Sequence, residues 1–113
     1  MVDDEPSVRQ ALCHWFILRG FEVDAAVDGE DAVEKCHAKH YDVITMDLEM
    51  PRMNGVDAIR AIRAFQPVTP IIVFTGYQQD SAPVPSNAVS AVLTKPMRPS
   101  ELELHIRRVL QSV

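Results

Sequence analysis

Five polar residues in this chain each follow or end an apolar run, and together they could handle a phosphoryl group. They are Asp3, Asp4, Asp47, Thr75 and Lys95. A carboxylate can act as a nucleophile and form an aspartyl-phosphate. A lysine and a hydroxyl can stabilise the charge that develops on phosphoryl oxygens. The set therefore fits phosphoryl transfer, provided that the fold brings all five residues to one place.

Three of these residues are carboxylates, and a shared pocket would make them repel one another. A cation would remove that repulsion. Mg²⁺ favours oxygen ligands from few side chains, with room left for water and phosphate oxygens. The four histidines and two cysteines show no spacing typical of zinc ligands. The sequence thus predicts Mg²⁺ as the cofactor, held by Asp3, Asp4 and Asp47.

The apolar runs before the reactive residues are typical of buried strands in a parallel sheet. Three such runs are present, at residues 43–46, 71–74 and 89–94. The carboxyl ends of parallel strands meet at one edge of a sheet, where open α/β folds place their ligands. We therefore expect Asp47, Thr75 and Lys95 to converge on that edge.

Amphipathic helical patterns separate the runs and define the fold class. Strand and helix alternate five times, which predicts an α/β domain over residues 1–113 with a doubly wound, flavodoxin-like, five-stranded parallel sheet of order 2-1-3-4-5. The period-2 pattern at residues 21–25 predicts an edge strand. Two irregularities are expected. The first strand is truncated to Met1 and Val2, and prolines within residues 76–87 make the fourth helix irregular.

Composition excludes several function classes. The net charge of −5 argues against a nucleic-acid-binding surface, because phosphate contacts need clustered Lys and Arg. No apolar run reaches the roughly 18 residues needed to span a bilayer. The acidic start is unlike a signal peptide, which opens with positive charge. We expect a cytoplasmic protein that binds neither nucleic acid nor membrane.

In the order and spacing of its motifs, the chain resembles the receiver domain of two-component response regulators, the CheY-like family. The matching motifs are Val2-Asp3-Asp4-Glu5, Met46-Asp47-Leu48-Glu49-Met50-Pro51 followed by Asn54-Gly55, Phe74-Thr75-Gly76, and Leu93-Thr94-Lys95-Pro96. One motif alone would be weak evidence, but four in register cover the whole chain. The resemblance implies a phosphoacceptor domain of a phosphorelay that signals by protein–protein contact.

The resemblance also implies a role for each site residue. Asp47 is the expected phosphoacceptor, supplied by the phosphohistidine of a histidine kinase or histidine phosphotransfer protein. Thr75 is the expected switch hydroxyl, and Lys95 the cation that binds phosphate. The expected Mg²⁺ ligands are Asp4 directly, Asp3 through water, Asp47, and the backbone carbonyl of Glu49. Such a domain catalyses its own phosphorylation and dephosphorylation without being a conventional enzyme.

Simpler roles compete with these assignments. Asp3 or Asp4 could cap the first helix, Asp47 could be a turn residue, and Thr75 an ordinary hydroxyl at a strand end. Lys95 could be a solvated charge. Convergence of all five residues on one edge favours the functional interpretation.

The chain departs from the family pattern in the segment that reports phosphorylation. Receivers usually carry Tyr or Phe three residues before the lysine, and that aromatic moves inward when the threonine engages phosphate. Here the position is Val92. We hypothesise that Tyr77, just past Thr75, takes over this role; the alternative is a surface tyrosine that gates the pocket. On the first helix, Ile17 is a candidate docking residue for the kinase, although single exposed apolar residues are common.

Other functions remain as alternatives. The chain could be an interaction module with a receiver fold and impaired switching, or the receiver piece of a hybrid histidine kinase. The truncated first strand adds the alternative of a homodimer that compensates for it. A metal-dependent phosphohydrolase is disfavoured, because residues 47–49 place no second aspartate where such an enzyme needs its general acid. The downstream protein partner is not identified by the sequence.

Overall fold

A computed structural model describes residues 1–3, 5–47, 55–75, 89–94 and 98–111. Parallel strands alternate with helices, which confirms the predicted flavodoxin-like α/β class. The predicted irregular fourth helix lies outside the described residues. In chain order the elements are α1 (Pro6–Leu18), α2 (Gly29–Ala38), β1 (Ile44–Asp47), α3 (Gly55–Arg63), β2 (Ile71–Thr75), β3 (Ala91–Thr94) and α4 (Pro99–Gln111).

The three strands form a parallel sheet in the order β1-β2-β3. Val2 extends this sheet beyond β1 through isolated parallel bridges to Met46 on one side and to Ala26 on the other. The Val2 amide donates to the Thr45 carbonyl at 2.9 Å, and the Asp47 amide donates to the Val2 carbonyl at 3.0 Å. The spatial order is therefore Ala26, Val2, β1, β2, β3, which is the predicted 2-1-3-4-5.

The predicted edge strand at residues 21–25 does not form. Pairing in this segment begins only at Asp24, whose carbonyl accepts from the Met1 N-terminus at 2.9 Å. The Ala26 amide then donates to the Met1 carbonyl at 2.8 Å, and the Ala26 carbonyl accepts from the Asp3 amide at 3.2 Å. Within the described residues the pairing thus reaches from position 24 to position 26, which is too short for a regular strand over residues 21–25.

Two hydrophobic cores lie on opposite faces of the sheet, as a doubly wound fold requires. Odd and even positions of β2 alternate between them. On one face Ile71 and Val73 pack with α2 and α3, and on the other Ile72 and Phe74 pack with α1 and α4. Burial of each such side chain contributes about 1.5–3 kcal/mol. Because both faces of β2 are buried, residues 71–74 are all apolar.

Helix termini follow the sequence signals. The Asp28 carboxylate caps α2 by accepting from the Asp31 amide at 2.8 Å. Gly20 ends α1 with a φ of 92°, a left-handed conformation in which glycine carries no Cβ penalty. Phe16 is the buried residue of α1 and packs in the core that α1 shares with α4 and the sheet.

None of the helices in the described part of the chain is long and apolar enough to cross a membrane.

Candidate functional site

Asp47 is the last residue of β1 and lies at the carboxyl edge of the sheet. It is only 2% exposed, in a strand that is buried on both faces. Buried positions normally hold apolar groups, because removing a carboxylate from water is costly unless partners compensate. An acidic side chain at the end of an otherwise core strand is therefore a candidate for function.

Asp3 lies beside Asp47 on the neighbouring strand position. Val2 pairs with Met46 in parallel, so the two aspartates occupy the next positions of adjacent strands, which run about 4.8 Å apart. Asp3 is 5% exposed, and its Oδ1 accepts from the Glu5 amide at 2.9 Å, directly before α1. This bond spans two residues and precedes the helix, whose N-cap residue is Glu5, so Asp3 does not cap α1 as the simpler interpretation expected.

The register of β2 and β3 extends this edge. Asp47 is paired with Phe74, and Thr75 is one residue further along β2. Thr75 is in turn paired with Thr94, the last residue of β3, which precedes Lys95 in the sequence. The backbone therefore brings Asp3, Asp47 and Thr75 to one edge, as predicted. Four predicted residues lie outside the described residues: Asp4, Glu49, Tyr77 and Lys95.

The described part of this edge suits a hard divalent cation. Asp3 and Asp47 supply adjacent, largely buried carboxylates, and Mg²⁺ prefers oxygen donors. Within the described ranges, no three acidic, histidine or cysteine side chains are grouped closely enough to hold a metal ion. Two of the predicted ligands, Asp4 and Glu49, fall in the gaps between those ranges. The two described carboxylates, Asp3 and Asp47, thus supply oxygen donors of the kind that Mg²⁺ prefers, and the full ligand set stays a prediction.

The two candidate signalling positions in the described part of the chain are both exposed. Val92 in β3 is 55% exposed, although Leu93 beside it is buried. Ile17 near the end of α1 is 56% exposed, as expected for a docking residue, and Leu18 next to it is also exposed. Exposure makes both positions available for contact with another protein.

Sequence reasoning missed two residues, one that contacts the site and one that joins α1 to α4. Arg9 of α1 donates from Nη1 to the Asp3 carbonyl at 2.9 Å. Glu103 of α4 is buried and accepts from three side chains, and these bonds lower its pKa to about 2. The pairs Trp15/Arg19 and Glu103/Arg107 have a spacing of four residues that favours helix-face contacts. That spacing was the available signal for the Glu103 cluster, whereas nothing local pointed to Arg9.

Comparison with known proteins gives consistent matches. The model of the response regulator receiver domain family matches residues 1–107. Regulatory protein AtoC of Escherichia coli is 36% identical over 113 residues, which cover 98% of this chain and 24% of AtoC. Chemotaxis protein CheY of Thermotoga maritima is 34% identical over 112 residues, covering 96% of this chain and 93% of CheY.

A solved structure shows the same likeness in three dimensions. It is that of response regulator protein TrrA of Thermotoga maritima in complex with Mg²⁺-BeF, with a TM-score of 0.85 and 30% sequence identity. The similarity covers 96% of this chain and 94% of that chain. The chain thus spans about a quarter of AtoC and nearly all of the two shorter relatives.

Proposed function

Because the chain belongs to the response regulator receiver domain family, and so has a phosphoacceptor receiver role in two-component signalling, we propose that Asp47 is the residue that accepts the phosphoryl group. The observation that carries this proposal is the buried carboxylate of Asp47 at the carboxyl end of β1, next to Asp3. Asp47 belongs to β1, and β1 lies between Val2 and β2 in the sheet.

The transfer step follows from carboxylate chemistry. An Asp47 carboxylate oxygen attacks the phosphorus of a phosphohistidine on the partner protein. The new O–P bond forms as the P–N bond breaks, and the imidazole leaves with that electron pair and takes up a proton. The buried position of Asp47 limits access of water to the acyl phosphate. Hydrolysis of the same O–P bond by water resets the domain.

The other site residues prepare the edge for this step. The metal ligands in this proposal are Asp3, Asp4, Asp47 and the backbone carbonyl of Glu49. When bound, Mg²⁺ offsets both the repulsion between the carboxylates and the charge on the phosphoryl oxygens. The Thr75 hydroxyl donates to one phosphoryl oxygen and the Lys95 ammonium pairs with another. The position of Thr75 at the end of β2 supports its part.

Acetyl phosphate tests the assignment of Asp47. With Mg²⁺ present, the wild-type chain should become phosphorylated, as measured by intact mass spectrometry and ³¹P NMR, and Asp47→Asn should not. Asp42→Asn is a matched control, because it removes an exposed carboxylate just before β1 and should leave labelling intact. An unlabelled wild-type chain, or equal labelling of Asp47→Asn, would contradict the proposal.

Receiver domains interact with histidine kinases or phosphotransfer proteins, and we propose that Ile17 is part of that contact. Its exposure on α1 supports this. Ile17→Asp should slow transfer from a kinase that phosphorylates the wild type, while labelling by acetyl phosphate should be unaffected. Val68→Asp, at an exposed apolar residue away from α1, should change neither rate. Equal slowing of both reactions in Ile17→Asp would argue against docking.

We also propose a cytoplasmic location for the domain, because the kinases that phosphorylate such domains use ATP.

Exposed Val92 favours a second candidate function, a receiver-fold interaction module with impaired switching. A valine lacks the aromatic ring that usually reports phosphorylation. Beryllofluoride with Mg²⁺, followed by NMR, separates the two functions: shifts of the Val92 methyls that vanish in Asp47→Ala indicate a working switch. If Tyr77 carries the signal, Tyr77→Ala should abolish phosphorylation-dependent partner binding. Unchanged binding would leave Tyr77 as a surface residue.

A further inference from the structure

Asp3 is held by hydrogen bonds at its backbone and at its side chain. Its amide donates to the Ala26 carbonyl at 3.2 Å, and its Oδ1 accepts from the Glu5 amide at 2.9 Å. The remaining backbone group, the Asp3 carbonyl, accepts from Nη1 of Arg9 at 2.9 Å. Arg9 lies in the first turn of α1, so its side chain ties the helix to the end of the first strand.

The carbonyl of Asp3 controls more than its own residue. It belongs to the peptide unit that joins Asp3 to Asp4, and a peptide unit is planar. A donor that fixes the direction of this carbonyl therefore fixes the direction in which the chain leaves Asp3. A charged donor makes a stronger hydrogen bond than a neutral one. Arg9 is the side chain that supplies it.

The charge of Arg9 also reaches helix α2. The pKa of Asp31 is lowered, mainly by its hydrogen bond from Lys35 and only weakly by the charge of Arg9. Arg9 itself is half-buried, and its contact with the Asp3 carbonyl is a direct hydrogen bond. The bond to Asp3 is therefore the contact through which Arg9 acts on the site.

We propose that Arg9 is a positioning residue for the metal site, which acts by fixing the carbonyl, and with it the backbone, of Asp3 so that the Asp3 carboxylate is aligned for a divalent cation. This inference rests on the proposed function of the edge. The positioning role of Arg9 and its positive charge predict opposite changes in Mg²⁺ affinity when the side chain is removed. A positive side chain near the site repels Mg²⁺, so its removal would tighten binding if charge alone mattered. Removal of a positioning bond weakens binding instead.

Isothermal titration calorimetry with MgCl₂, done on the intact chain, measures whether Mg²⁺ binding becomes weaker or tighter. Arg9→Met keeps the aliphatic stem but removes donor and charge, and it should weaken Mg²⁺ binding roughly tenfold. Arg9→Lys, which restores a charged donor, should recover most of the affinity. Arg60→Met, at an exposed arginine of α3, should bind like the wild type. Unchanged or tighter binding by Arg9→Met would overturn the proposal.

If circular dichroism shows that Arg9→Met does not fold, a second variant, Arg9→Gln, takes its place in the test. Arg9→Gln carries a neutral and shorter donor. It should bind Mg²⁺ more weakly than Arg9→Lys does, although it lacks the repelling charge. Tighter binding by Arg9→Gln than by Arg9→Lys would overturn the proposal.

Labelling by acetyl phosphate separates this inference from the function on which it rests. In Arg9→Met the Mg²⁺ concentration for half-maximal labelling should rise, while the rate at saturating Mg²⁺ stays close to that of the wild type. A lost rate at saturation would show that Arg9 acts on the chemistry and overturn the positioning role. Labelling that persists in Asp47→Asn, together with weak Mg²⁺ binding by Arg9→Met, would contradict the function and support Arg9. A wild-type chain that binds no Mg²⁺ would refute both.

Discussion

The buried Glu103 of α4 gives a sharp prediction about acid stability. Its carboxylate accepts from Trp15 Nε1 at 3.0 Å, from Arg19 Nε at 2.9 Å and from Arg107 Nε at 2.8 Å. The side chain is 8% exposed, whereas both arginines are about half exposed. Charge-assisted hydrogen bonds of this kind are the stronger class. Glu103→Gln keeps the shape but removes the negative charge that these donors share.

The pKa of Glu103 sets the pH range over which this stability is lost. Hydrogen bonds from Arg107 and Arg19, and then from Trp15, lower the pKa of Glu103 from 4.5 to about 2. A carboxyl whose pKa is lower in the folded state contributes stability above the unfolded value, and that stability is lost as pH falls through the folded value. The contribution of Glu103 should therefore be complete above pH 4.5 and gone once the pH has fallen below about 2.

Urea unfolding between pH 7 and pH 2 measures this contribution. The free energy of unfolding of the wild type should exceed that of Glu103→Gln by a constant amount above pH 5, and the gap should shrink progressively towards pH 2. Glu101→Gln is a matched control on the same helix, because Glu101 is exposed and its ion pair with the exposed Arg98 is long, at 3.9 Å. A gap that does not depend on pH, or an NMR titration of Glu103 near pH 4.5, would refute the reasoning.

Three further predictions concern the rest of the fold. Ile59→Ala should lower the free energy of unfolding by about 2–5 kcal/mol and Ile59→Val by about 0.5–1.5 kcal/mol, because Ile59 is fully buried; urea midpoints that do not fall in this order would contradict it. Tyr41→Phe removes a 2.6 Å hydrogen bond to Asp24 that is the main cause of the lowered pKa of that carboxyl. The pKa of Asp24 should then rise by NMR titration. Burial raises the pKa of the Cys36 thiol, so iodoacetamide should modify Cys36 more slowly than the less buried Cys13.

Local signals explain why much of the fold was predictable from the sequence. The apolar run at β2, the capping residue Asp28 and the start of α3 at Gly55 each depend on a few neighbouring residues. The regular edge strand predicted at residues 21–25 was wrong because pairing with a neighbouring strand is a tertiary contact, which alternation does not report. The burial of Phe16 is also a tertiary effect, since it depends on the packing of α1 against the sheet and α4.

The candidate site was predictable as far as strand ends define it. Asp3, Asp47 and Thr75 meet because parallel register brings consecutive strand ends to one edge. The contacts made by Arg9 and Glu103 were missed because they depend on tertiary geometry. Glu103 in particular is bonded to Trp15 and Arg19, which are 88 and 84 residues away in the sequence. The four-residue spacing of Glu103 and Arg107 is a local signal, but nothing within α4 shows that Trp15 and Arg19 complete the cluster.

The pairing of Val2 on both sides has a consequence for the order of folding. Its bridge to Met46 spans 44 residues of sequence, whereas the paired positions are 27 residues apart in β1 and β2 and 19 apart in β2 and β3. Because closing a longer loop costs more conformational entropy, we expect this bridge to form after those two pairs. We therefore expect the two aspartates to be brought together only after the sheet has formed, so that their repulsion does not burden the earlier steps. In stopped-flow experiments, Val2→Ala should then accelerate unfolding and leave the rate of refolding nearly unchanged.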